Sequence, residues 1–343
     1  MQALVLAGGE GTRLRPLTLT TPKPVMPLAG RPFLTFMLSW LARHGVDDAI
    51  MSCGHLSDEV ERVLGDEYEG VRLHHVVEEE RLDTAGPVRL AYDQGLLQER
   101  FFVMNGDCLA DLDLSAELRQ HEATGAVATL GLVEVDDTSH YGVVPTHADG
   151  QVEAFLEKQP GPVRTNRINA GAYILERSVV ESHIPAGRPV SFEREVFQQL
   201  VGNGLYGWHA EGYWIDIGTP ERYLEATYDL LAGRVESTLP ARDETDSLIP
   251  ETCITIGARI GPLSVLGQHC SVGDRAFVER SVLHDSVIVG AEAHIQESVI
   301  AAGARIGEGA RLGPDAIVGA GAEIAPGAVV GEGVRVEPAE KVA

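Results

Sequence analysis

Lysine is scarce in this chain. Of its 27 basic side chains only Lys23, Lys158 and Lys341 are lysine, and two of these sit in motifs marked by proline: "TTPKPVMP" around Lys23 and "FLEKQP" around Lys158. An ammonium is a compact point charge and a guanidinium a broad planar fork, so the two do not substitute for each other at a crowded phosphate. Pro22 and Pro24 restrict the backbone on either side of Lys23, which suits a cation held in place. Upstream, "LAGGEGTRLRP" sets Gly8, Gly9 and Gly11 behind an apolar run and follows them with Arg13 and Arg15. Glycines let backbone N–H groups close around phosphate oxygens with no Cβ in the way. The dinucleotide fingerprint needs a third glycine where Leu14 stands, and the Walker pattern needs a Gly-Lys-Ser/Thr that does not follow. A plain strand-to-helix turn explains the glycines but leaves Arg13, Arg15 and Lys23 unexplained. The chemistry this set suits is the holding of phosphate groups.

These groups need mounts. Up to about Leu231, short apolar runs alternate with helical patterns. "ALVLAG", "DDAIMSCG", "VRLHHVV", "FFVMNGD" and "AVATLGLVEV" read as strands, several of them buried as parallel strands are. "PFLTFMLSWLARHG" carries apolar residues at helical spacing, opens on Pro32 and ends near Gly45. Such alternation predicts an α/β layer with a mostly parallel sheet, whose ligands gather beyond the carboxyl ends of the strands. Gly8 to Arg15 and Asn105 to Asp107 fall at such ends. From Ile254 the rhythm changes. Aliphatic residues recur at 254, 260, 266, 272 and 278, at 283, 289 and 295, and at 300, 306, 312, 318, 324, 330 and 336. Apart from the steps 278 to 283 and 295 to 300, every interval is six. That period marks a parallel β-helix, and at three hexads per turn these positions fill about five turns. The expected domains are residues 1–232, a polar linker 233–252, and a β-helix over 253–343.

The formal net charge of −24 argues against nucleic acid, whose binding needs clustered cations, yet leaves room for a small anion in a locally positive pocket. Cys53, Cys108, Cys253 and Cys270 form no C-x-x-C pair, so reduced thiols in a cytoplasmic protein are expected. No stretch has the length of a membrane span, and the start lacks a basic, then apolar, leader.

"LAGGEGTRLRPLT…TPKP" resembles the signature of the sugar-1-phosphate nucleotidylyltransferases. The likeness continues in order through "LDTAGPVRLA", "VMNGD", "YGVV", "FLEKQP", "INAGAYIL" and "GYWIDIGTPERYLEA", nearly all of the first 232 residues. The resemblance implies a Rossmann-like, glycosyltransferase-A-like catalytic domain. A left-handed β-helix after it is a feature of the mannose-1-phosphate guanylyltransferase and glucose-1-phosphate adenylyltransferase branches. The implied reaction is attack of a sugar 1-phosphate on the α-phosphorus of a nucleoside triphosphate, with loss of pyrophosphate. A phosphate monoester has a second pKa near ~6 and needs no general base. By resemblance Leu6, Ala7, Gly8, Gly9, Gly11, Thr12, Arg13, Lys23, Asp83, Gly86, Asn105 and Gly106 surround the nucleotide, with Arg13 and Lys23 on its phosphates. Lys158 faces the sugar phosphate, Gly142, Glu157, Asn169 and Gly171 the sugar, and Asp107 and Asp216 hold Mg²⁺. A homo-oligomer is expected.

Plainer readings stand beside these roles. Asp107 could belong to an Asn-Gly turn, and Asp216 could cap a helix, although Thr219 before Pro220 is the better cap. Gly142 could be a strand kink and Asn169 a turn residue. Two positions depart from the family pattern. Asp83 stands where the family has glycine and either accepts from a guanine edge or caps the next helix; Gln159 separates Lys158 from Pro160. The overall likeness leans to GTP and mannose 1-phosphate; thymidylyl, uridylyl or adenylyl transfer to glucose 1-phosphate or a sugar-like cyclitol phosphate stays open. So do a β-helix acyltransferase with His269, His284 or His294 as base, and a non-catalytic regulatory subunit.

Overall fold

The computed structural model describes residues 1–54, 56–157 and 164–343, so Lys158 and Gln159 lie outside the described residues. The chain falls into two compact units, Met1–Gly9 with Leu34–Trp214, and Glu10–Phe33 with Ile215–Ala343. Compactness thus cuts across the boundaries expected at residues 232 and 253, because the segment bearing Arg13 and Lys23 groups with the C-terminal part.

The first unit is built on a mostly parallel sheet. Gln2–Leu6 lies between Asp48–Cys53 and Arg100–Asn105, parallel to both, and Val71–Val77 continues the parallel set beside Asp48–Cys53. Three of these strands are near-continuous apolar runs whose side chains are almost all buried, as expected where both faces of a sheet are covered. Arg167–Glu176 runs antiparallel to Arg100–Asn105 and to Ala128–Glu134, with a bulge between Asn169 and Tyr173. Beside it, Phe192 and Phe197 stack at 5.2 Å and Tyr173 meets Phe197 edge-on at 5.2 Å. The helix Leu34–Arg43 buries Leu34, Leu38 and Leu41 on one face. It starts two residues later than expected because Arg31–Pro32 is taken up in a short antiparallel pair with Pro27–Leu28. Gly45, at φ 75°, ends it as Val46 N–H donates to Leu41 O at 3.1 Å.

Register decides what the sheet presents. Leu6 pairs with both Ser52 and Asn105, and Ser52 pairs with Val76. One row therefore closes four parallel strands, and the segments leaving it carry Ala7 and Gly8, Gly54, Glu78, and Gly106 and Asp107.

In the second unit three five-stranded parallel sheets form a left-handed β-helix of five coils. The two short steps in the hexad rhythm shorten two coils: Val265 pairs with Val282 and Val282 with Val299, seventeen residues apart, whereas Val299 pairs with Ile317 and Ile317 with Arg335 at eighteen. The inward aliphatics, from Leu266 to Val336, make one continuous core. Ile254 breaks the expected phase: it pairs with Ser271, an outward position, and is 58% exposed. The polar stretch read as a linker already joins the coil, since Leu248 is buried and pairs with Val265.

Each sheet also has an outward ladder, and the three differ. One runs Ser271, Ile288, Arg305, Glu323, Lys341, and a second Arg259, Phe277, His294, Arg311, Val329; both are largely open to water. The third runs Val265, Val282, Val299, Ile317, Arg335, and its first four members are buried. The helix Pro220–Leu231 lies across that side. Tyr228 Oη donates to Arg280 O at 2.5 Å with the Arg280 guanidinium 4.2 Å over its ring, and Tyr223 Oη meets His284 Nε2 at 3.2 Å. Among the described residues no helix is long and apolar enough to cross a membrane.

The covered ladder is directly testable. Val299→Asp should cost about 3 kcal/mol, because it buries an unpaired carboxylate. Ile288→Asp, on an open ladder at 39% exposure, should change stability by no more than about 0.5 kcal/mol. Equal losses in chemical denaturation would contradict the assignment of faces.

Candidate functional site

In the first unit the predicted residues cluster along the row that ends the parallel strands. Leu6 closes its strand and Ala7 N–H extends it by donating to Ser52 O at 2.8 Å. Gly106 N–H returns to Leu6 O at 2.9 Å, so the chain from Asn105 to Asp107 leaves beside the first strand. Gly8 lies against a residue that the sequence reading missed: a Cβ on Gly8 would stand 2.6 Å from Glu78 Oε1. That carboxylate accepts from Ser52 Oγ at 3.0 Å, and burial holds its pKa above the usual carboxylate range. Nothing local distinguishes Glu78 within "EEE"; only the sheet register brings it to Gly8.

Asn105 sits under Gly171, whose φ of 73° and absent side chain make room for it: a Cβ there would fall 2.6 Å from Asn105 Nδ2. Asn169 is a bulge residue within a ten-residue strand and not part of a turn. Its Nδ2 donates to Tyr173 Oη at 2.8 Å and its Oδ1 accepts from Gly171 N at 3.1 Å, so it shapes the bulge that opens beside Asn105. Gly142 pairs with Glu157 across a short antiparallel ladder, and a Cβ there would meet Phe155 at 2.8 Å and Glu157 Oε2 at 3.1 Å.

Of the two roles expected for Asp83, the structure removes the helix cap. The helix Gly86–Asp93 has Ala85 at its N-cap with no side-chain cap. Asp83 Oδ1 instead accepts from Thr84 N at 2.9 Å, and Oδ2 pairs with Arg194 Nη2 at 3.1 Å. Gly86 is the first residue of the helix and is packed against Leu82.

In the second unit Gly11, at φ 60°, caps a single 3₁₀ turn over Thr12–Leu14, and its carbonyl accepts from Leu14 N and from Thr18 Oγ1, each at 2.9 Å. Lys23 opens another such turn, Lys23–Val25, and the residue is only 8% exposed, with Pro22 and Pro24 buried on either side of it in the chain. Its Cβ lies 3.5 Å from where a Cβ on Gly11 would be. Arg13 is exposed, and its guanidinium shares a glycine with Asp216: a Cβ on Gly218 would stand 2.6 Å from Arg13 Nη2 and 3.0 Å from Asp216 Oδ2. Arg15 instead pairs with Glu10 at 3.2 Å. Thr219 caps Pro220–Leu231, its Oγ1 accepting from Arg222 N at 3.4 Å, which leaves Asp216 out of the capping role as expected.

Carboxylates are the donors that a hard divalent cation takes. Asp107 and Asp216 are half-buried carboxylates, and Gly218 keeps Asp216 Oδ2 clear of any side chain at that position. Among the described residues no three His, Cys, Asp or Glu side chains gather as a metal cage. A cation that takes one or two carboxylates and completes its shell with phosphate oxygens and water needs no such cage.

The histidines weighed for acyl transfer do not form a site. His284 is 5% exposed, burial pushes its pKa down to about 4, and its Nε2 is engaged by Tyr223. His269 and His294 are exposed residues of different coils.

Residues 2–233 match the family model described as nucleotidyl transferase, and residues 246–343 match the one described as GMPPB C-terminal domain. A mannose-1-phosphate guanylyltransferase of Mycobacterium tuberculosis is 38% identical over 85% of this chain and 82% of its own. A mannose-1-phosphate guanylyltransferase 1 of Arabidopsis thaliana is 34% identical over 91% of this chain and 89% of its own. Among solved structures, HddC from Yersinia pseudotuberculosis complexed with GMP-PN superposes with a TM-score of 0.56 at 29% identity, covering 66% of this chain and 97% of that one.

The shared glycine makes a sharp probe. Gly218→Ala should leave the melting temperature unchanged, since the methyl meets the movable ends of two side chains. It should weaken nucleoside triphosphate binding about tenfold by displacing Arg13 and Asp216; titration calorimetry measures this, and unaltered affinity would contradict a role for these two side chains in holding the triphosphate.

Proposed function

This chain belongs to the nucleotidyl transferase family, and on that premise we propose that it transfers the guanylyl group of GTP to mannose 1-phosphate, giving GDP-mannose and pyrophosphate. The supporting observation is the extent of the match: relatives bearing that activity in their names align across the catalytic segment and into the β-helix.

In the proposed reaction an oxygen of the sugar phosphate forms a bond to the α-phosphorus of GTP as the bond from that phosphorus to the bridging oxygen of the β-phosphate breaks, and pyrophosphate leaves with the electron pair. The nucleophile is already largely dianionic at neutral pH, its second pKa being near ~6, so the protein supplies placement and charge compensation rather than a base. Arg13 and the buried Lys23 take the triphosphate, and Lys158 the sugar phosphate. Lysine suits this position because a compact ammonium and a planar guanidinium do not substitute for each other at a crowded phosphate. Asp107 and Asp216 are the proposed ligands of Mg²⁺, which when bound offsets charge on the phosphates and orients them.

Selection of guanine needs an acceptor for its ring N–H and amino group. Two carboxylates are candidates: Asp83, which also pairs with Arg194, and Glu78, which accepts from Ser52 and lies beside Gly8. Glu157, beside Gly142, is the proposed contact to a sugar hydroxyl.

The purified protein is to be incubated with Mg²⁺ and each pairing of GTP, ATP, UTP and dTTP with mannose 1-phosphate and glucose 1-phosphate, and pyrophosphate release measured. GTP with mannose 1-phosphate should be turned over fastest by at least about a hundredfold, chelation should stop release, and Asp107→Asn should abolish it with the fold intact. Preference for another pair would replace the substrate assignment, and full activity of Asp107→Asn would remove that residue from the metal site.

A further inference from the structure

The covered ladder of the β-helix ends on an anomaly. Val265, Val282, Val299 and Ile317 stand in strict register, all apolar and at most 3% exposed. The fifth member, in register with Ile317, is Arg335, and it is exposed. A fifth aliphatic residue would continue the pattern, so the arginine calls for its own cause. Its Nη1 donates to Arg13 O at 3.1 Å and to Arg15 O at 2.8 Å.

Those two carbonyls bracket Leu14, which is completely buried. They also end the one-turn helix Thr12–Leu14, where carbonyls lack intrahelical donors and carry partial negative charge. The loop is thus fixed at three points: Gly11 O by Leu14 N and Thr18 Oγ1, the Leu14 side chain in the core, and the outer carbonyls by one guanidinium. With its backbone fixed, Arg13 retains only side-chain freedom, and Gly218 leaves room for its guanidinium beside Asp216.

We infer that Arg335, in the last coils of the β-helix, is a positioning residue of the catalytic reaction: it holds the backbone on both sides of Leu14 so that Arg13 is pre-set for the triphosphate. This rests on the reading that Arg13 contacts the nucleotide. Preorganisation of this kind lowers the cost of ordering the cation when substrate arrives. The β-helix thereby acts on nucleotide binding through one side chain that does not itself touch the nucleotide.

The test is a double-mutant cycle on the full chain. Arg335→Leu continues the apolar ladder, so the melting temperature should be retained. The KM for GTP should rise about tenfold, for the loss of paired donors to partly charged acceptors, with the KM for mannose 1-phosphate unchanged. Arg335→Lys, which keeps a cation with several donors on a shorter stem, should recover part of the loss. In an Arg13→Ala background, Arg335→Leu should add almost nothing. Equal rises for both substrates, a lowered melting temperature accounting for the lost activity, or independent and multiplicative effects of the two substitutions would each overturn the inference. If Arg13→Ala leaves GTP kinetics untouched, the reading of Arg13 fails and the inference with it; impaired Arg13→Ala with multiplicative effects sinks the inference alone.

Discussion

Two polyanions have to be brought together by a chain with 51 acidic and 27 basic side chains. Coulomb repulsion from such a surface is long-ranged but screened by salt, whereas a fixed cation at contact distance in a dry site is screened little. Positive groups must therefore be few, close and immobile. Lys23 meets that requirement by burial between two prolines, and Arg13 by a backbone tied at both flanks of Leu14. Arginines elsewhere are largely spent on surface carboxylates, as in Arg15 with Glu10 and Arg194 with Asp83.

The sheet meets a different need. Parallel strands that end on one row release several chain segments at the same edge, and the backbone groups there are no longer consumed by the ladder. Gly106 and Gly171 let main chain and Asn105 approach within a hydrogen-bond length or a van der Waals contact, and the bulge at Asn169 turns the antiparallel strand aside. Glu78 occupies the same edge because its strand is in register with Ser52, so an acceptor is set next to the glycine-rich segment without any motif announcing it.

The β-helix is quasi-one-dimensional, so one position repeated through successive coils becomes a continuous stripe. This chain uses its three outward stripes unequally: two are mixed and wet, and one is apolar and covered by the helix Pro220–Leu231. The same periodic logic that builds the scaffold makes Arg335 conspicuous as the one polar member of the covered stripe. Burial of His284 beside Tyr223 takes one of the three histidines weighed as an acyl-transfer base out of reach of solvent.

Much was legible in the sequence, and it was what near neighbours along the chain decide. Hexad spacing, the apolar runs of parallel strands and the cap at Thr219 all follow from side-chain periodicity and backbone sterics within a few residues. The glycine, lysine and aspartate motifs were visible for the same reason, each being a short contiguous string. The structure alone decided what depends on the route of the chain: the grouping of Glu10–Phe33 with the C-terminal part, the outward turn of Ile254, the engagement of Asp83 by Arg194, and the meeting of Glu78 with Gly8. Arg335 reaches Arg13 O across 322 positions. No local propensity encodes such a contact, because it exists only once five coils have stacked in register and brought the last of them back to the beginning of the chain.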